Sequence, residues 1–139
     1  MAHQHRTCRR VASLAAAAAL ALALAACATD SARECERTFT ELTMSVDGVA
    51  DAQFECRRSF GDPSQRGTVT LDQMPRYDAV AVMEDVLRTY AASPDLRDAT
   101  VPVLSFATQD GTITIGPVML GFNGAPAIGE IREHYGIEP

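Results

Sequence analysis

The chain has 139 residues, with 12 arginines, no lysine, 18 acidic residues and four cysteines, for a formal charge of −6. That length holds one domain with a single core and is too short for two. The acidic balance argues against binding nucleic acid, or anionic lipid, through a basic face.

A leader comes first. His3, His5, Arg6, Arg9 and Arg10 make its start positive, and no acidic residue precedes Asp30. Val11 to Ala26 follow as 16 uncharged residues. That run suits a signal-peptide core with its cleavage segment and falls short of the ~20 residues of a spanning helix. Leu24-Ala25-Ala26-Cys27 resembles the lipobox of bacterial lipoprotein signal peptides. The resemblance implies removal of residues 1–26, lipidation of Cys27 by palmitate-type acyl chains, and a lipid-anchored protein on the extracytoplasmic face of the cell membrane. Arg9-Arg10 also resembles a twin-arginine export signal, with Ala12 where a strongly apolar residue is wanted.

Processing changes the charge. Losing Arg6, Arg9 and Arg10 leaves nine arginines against all 18 acids, a formal −9. Attachment then rests on the acyl chains, of which two suffice for stable anchoring. Arginine in place of lysine, with abundant alanine, points to GC-rich coding, and the mature part resembles a small actinobacterial-type lipoprotein. Residues 27–30 form the lipidated N-terminus and a very short tether, reaching about 10 Å when extended. The single domain, residues 31–139, is therefore expected against the headgroups.

Its first helix is expected over Ser31 to Val46. Ala32, Cys35, Phe39, Leu42 and Val46 recur at three- and four-residue steps, giving one apolar stripe. Asp30 or Ser31 can cap it, and Asp47-Gly48 ends it, with Gly48 suited to a left-handed turn. Ala50, Ala52, Phe54 and Cys56 then alternate with Asp51, Gln53, Glu55 and Arg57, the period of a half-buried strand.

These two elements bring Cys35 and Cys56 level. Cys35 lies about 15 Å along the helix from the turn, and Cys56 about 17 Å along the returning strand. In an oxidising compartment the pair is expected to be bonded, which is worth about 3 kcal/mol. Cys8 leaves with the leader and Cys27 is modified, so no thiol is left over.

Gly61 to Gly67 reads as a loop and Thr68 to Asp72 as a short strand. Pro75 leads into the clearest helix, Arg76 to Ala92, with Ala79, Val82, Met83, Val86 and Tyr90 inward. Ser93-Pro94 ends it. Val101 to Thr108 and Thr112 to Val118 read as a hairpin about Asp110-Gly111, with Pro102 and Pro117 toward the sheet edge. Pro126 to Tyr135 forms an optional short last helix with Ile128, Ile131 and Tyr135 inward. The class is α+β, a two-layer sandwich in α-β-β-α-β-β order. That order resembles a circularly permuted ferredoxin-like arrangement, which small envelope domains of the BON type approximate.

Several residue clusters carry groups capable of chemistry. Glu130 and His134, four apart on the last helix with Glu133 beside them, suit an acid/base pair or half a metal site. A metal wants three or four convergent ligands, and none completes the set. Gly121, Gly124 and Gly129 suggest a phosphate loop, but the spacing does not match and no Walker lysine follows. Arg57, Arg58 and Arg66 form the only basic cluster and could read a carboxylate. Ser59, Ser64, Ser93 and Ser105 lack a nucleophile setting, and Asp95 and Asp98 lack a calcium loop. No catalytic residue, metal or cofactor is expected. The domain reads as a non-catalytic interaction module at the membrane surface, with a membrane or wall protein as partner and no nucleic acid. A small-molecule-binding envelope lipoprotein is the alternative. An exposed apolar patch near Gly121-Phe122-Asn123 would favour the first reading.

Overall fold

The computed structural model describes residues 30–59 and 62–139, without the side chains of Arg58, Ser59 and Asp62. The leader and Cys27 lie outside the described residues. A helix over residues 30–44 opens the domain (α1), and Gly48 follows in a left-handed turn with φ 91°. Next come β1 (Val49–Ser59), β2 (Asp62–Leu71), α2 (Arg76–Ala92), β3 (Pro102–Thr108), β4 (Thr114–Ile115), a 3-10 turn (Pro117–Leu120) and α3 (Ile128–Tyr135).

Among the described residues the fold is α+β, with a four-stranded sheet in the order β1-β2-β3-β4 and three α-helices. The sheet is mixed: β1 with β2 and β3 with β4 are antiparallel, while β2 and β3, joined through α2, are parallel. Period-two alternation divides its residues cleanly. Register aligns Ala52, Val69, Phe106 and Ile115 as one buried row. Phe54, Gly67 and Leu104 form the next row on that side. Asp51, Gln53, Glu55, Arg66, Thr68, Val103 and Ser105 alternate with these residues and are exposed.

One apolar core joins that buried side to the helices. Phe39 of α1, Met83, Val86, Leu87 and Tyr90 of α2, and Ile128 and Ile131 of α3 pack into it. Phe39 stacks on Phe54 at 5.3 Å between ring centres and meets Tyr90 edge-on at 5.2 Å. Thr43 donates its hydroxyl hydrogen to the Phe39 carbonyl, so the buried Tyr90 hydroxyl is the donor in its bond to Thr43. Burial pushes the Tyr90 phenol well above its usual range.

Two expectations need correction. The segment Gly61 to Gly67 is not a long loop, because β2 begins at Asp62 and pairs with β1 to its far end, Ser59 opposite Asp62. Its polar residues sit on strand positions that composition alone marks as turn. The second hairpin is also shorter than the alternation suggests, with β4 only two residues long. Pro117 starts the 3-10 turn there, since it cannot donate to the ladder. β3 pairs with β2 as well as β4 and so does not lie at the edge, and Pro102 occupies its first position.

Candidate functional site

A cleft of about 630 Å³ opens between the first turns of α1, the far end of the β1–β2 hairpin and the loop after α2. Cys35, Thr38 and Leu42 line one wall, and Gln65, Leu96 and Arg97 the others. The expected bond between Cys35 and Cys56 is present, with a Cα–Cα distance of 6.2 Å, and it forms part of the floor. Because both thiols are used, the floor offers no nucleophile.

The charges around the cleft are largely paired. Arg37 bridges Glu34 at 3.7 Å and Glu41 at 3.2 Å along the exposed face of α1. Arg57 pairs with Glu55 two residues before it. Arg66 lies across the ladder from Glu55, and the Arg58 side chain lies outside the described residues. Arg57 and Arg66 thus each stand beside Glu55 on an alternating-charge strand face. The cleft mixes apolar and polar lining, with Leu42 and Leu96 beside Thr38 and Gln65.

Arg132 holds the loop wall. Its guanidinium donates to the carbonyls of Ala91 (2.9 Å), Ser93 (2.7 Å) and Leu96 (2.9 Å), and to the Asp98 carboxylate. The Arg132 side chain is only 12% exposed. Its planar fork satisfies the end of α2 and the loop at once, which a lysine cannot do. Nothing at sequence level distinguishes Arg132 from a solvated helix charge; only its i, i+4 relation to the inward Ile128 hints at burial.

The C-terminal candidates come together only in part. Glu130, Glu133 and His134 share a depression of about 430 Å³ with Phe122, Asn123 and Pro126. Glu130 is already engaged, accepting the Ala127 N–H at 2.7 Å. His134 packs on the Phe122 ring at 4.7 Å instead of meeting Glu130. Among the described residues no group of three His, Cys, Asp or Glu could hold a metal ion. The start of α3 has little to offer an anion, since the Ile128 and Gly129 N–H groups donate to the Thr100 and Asp98 carbonyls. Gly121 and Gly124 are left-handed turn residues, φ 91° and 93°. The Asp98 carboxylate serves Arg132, and the Ser93 hydroxyl accepts the Asp95 N–H.

A different surface emerges just before Gly121. Val118 and Met119 stand on the 3-10 turn and are 68% and 45% exposed, while Phe122 beyond them is buried. Among the described residues no helix is long and apolar enough to cross a membrane. The chain matches no family model, no curated protein and no solved structure.

Proposed function

We propose that this chain is a lipid-anchored envelope protein, carried by Cys27 on the extracytoplasmic face of the membrane, whose domain is a non-catalytic interaction module. The observation that carries the interaction reading is the exposure of Val118 and Met119 beside Gly121. Apolar side chains displayed on a short, proline-started turn cost solvation in the free protein and regain it against a partner. The disulfide supports the compartment, since such bonds persist where the surroundings are oxidising. The partner is a membrane or wall protein within reach of a short tether. Helices against one side of the sheet, exposed alternate residues on the other, and the α-β-β-α-β-β order support a two-layer sandwich. The adjacent parallel β2 and β3 set it apart from a simple permuted ferredoxin-like layout.

Crosslinking and pull-down from native membranes tests the reading. A specific partner is captured by the parent protein, lost with Val118→Ser plus Met119→Ser, and lost with Cys27→Ala. Capture that ignores the turn substitutions removes the assignment of that surface. The cleft supports a second reading, a small-molecule-binding envelope lipoprotein. Its measure is a rise in melting temperature with a metabolite panel, abolished by filling the cleft with Thr38→Trp.

A further inference from the structure

β1 is the longest strand, 11 residues, and it lies at an edge of the sheet. In an antiparallel ladder successive residues turn their N–H and C=O groups alternately toward the partner strand and away from it. The Cys56 N–H donates away from β2, to the Glu36 carboxylate of α1 at 3.1 Å. By alternation Ala52 and Phe54 also turn outward. Ala52 is only 6% exposed and Cys56 only 8%, with Phe54 between them partly buried, and at Cys56 the edge is capped by Glu36. Glu36 and Cys35 are neighbours in α1, and Cys35 is bonded to Cys56 itself. The helix therefore grips the edge twice at one point, by a carboxylate and by a covalent bond.

We propose that the N-terminal half of α1 is a guard over the β1 edge, latched by the Cys35–Cys56 bond, and that breaking this bond uncovers a strand edge that pairs with β1 of a second copy. A long uncovered edge is a template for another strand, which proteins ordinarily block. The exposed row of β1 selects the occupant by charge. If two copies of β1 pair antiparallel about a dyad at Phe54, Asp51 stands opposite Arg57 twice and Gln53 opposite Glu55 twice. These are positions where side chains of paired strands come closest, about 4.5–5.5 Å between Cβ atoms. The outward-turned residues Ala52, Phe54 and Cys56 are those such a dyad brings together as hydrogen-bonded pairs. Shifting the dyad by one residue sets Asp51 against Glu55 or Glu55 against itself, so the charges also fix the register. Phe39 and Thr43, both buried, keep the second half of α1 on the core, and the opening stays local.

The step needs a two-electron reductant. A dithiol such as dithiothreitol supplies it, closing to its own disulfide as Cys35 and Cys56 become thiols. This inference goes beyond the interaction reading above and does not rest on it, because it involves neither Cys27 nor the Val118 turn.

The test is hydrogen exchange and sedimentation of the purified full chain in detergent, oxidised and after dithiothreitol, with Cys35→Ser as a permanently unlatched form. The unlatched protein exchanges faster over residues 30–40 and at the outward amides of β1, on the order of a hundredfold, with β3 and α2 unchanged, and it sediments as a dimer. Asp51→Arg or Arg57→Asp abolishes that dimer, and the two together restore it. Uniformly faster exchange through the whole domain, an unlatched protein that stays monomeric, or a dimer indifferent to the charge swaps each overturns the proposal.

Discussion

The Phe54 ring lies against Gly67, its opposite number on β2, so closely that a Cβ at Gly67 would fall 2.3 Å from the ring. Phe39 of α1 stacks on the same ring, 5.3 Å between centres. The glycine is thus the space into which the aromatic stack settles, and it sets how close α1 comes to the sheet. Gly67→Ala forces the ring out and costs about 1–3 kcal/mol by overpacking. Urea unfolding measures it, and Phe54→Leu in the same chain recovers part of the loss.

Loss of the disulfide has a separate size. Cys35 and Cys56 are 21 residues apart, and closing such a loop removes unfolded-state freedom worth about 3 kcal/mol. Cys35→Ser with Cys56→Ser lowers the urea midpoint accordingly while the far-ultraviolet circular dichroism of the native state is retained.

Arg132→Lys keeps the charge and loses the fork. One ammonium cannot reach three carbonyls and a carboxylate spread over Ala91 to Asp98, so stability falls by about 2–3 kcal/mol. Thermal unfolding of Arg132→Lys and Arg132→Leu gives similar losses, which distinguishes lost geometry from lost charge.

Asp110 ties the turn between β3 and β4. Its carboxylate accepts the Thr108 hydroxyl at 2.7 Å, the Thr112 N–H at 3.0 Å and the Gln73 amide at 2.6 Å. The Thr108 bond first, then those from Thr112 and Gln73, hold the carboxyl well below the usual carboxylate range. A lowered folded-state value means the stabilisation is complete above the unfolded value, about 3.9, and is lost as pH falls below it. Melting curves from pH 7 down to pH 2 show Asp110→Asn destabilised at neutral pH, with the gap to the parent protein narrowing below about pH 4.

Periodicity was a good guide where one face alone is buried. The helix Arg76–Ala92 and the strand through Phe54 and Cys56 were legible because apolar residues recur at 3.6 and 2 residues. The disulfide followed from the lengths of the first helix, which carries Cys35, and of the strand that carries Cys56. Gly61 to Gly67 reads as a loop by composition, yet from Asp62 onward its turn-type residues occupy the far end of a long hairpin, where pairing across the strands holds them. Arg132 and the cleft were illegible for another reason. Both depend on the loop after α2 coming to rest against α1 and α3, which no local pattern encodes. Glu130 and His134 shared a helix face as their spacing implied, yet a backbone N–H and an aromatic ring claimed them separately.

The most direct measurement is the distribution of the protein between membrane and soluble fractions, parent beside Cys27→Ala, with the mass of the mature N-terminal peptide. The account predicts a membrane-bound parent whose chain begins at a diacylated Cys27, and a Cys27→Ala protein released from the membrane. A Cys27→Ala protein that stays in the membrane at parental levels, or an unmodified Cys27 in the parent, would contradict it.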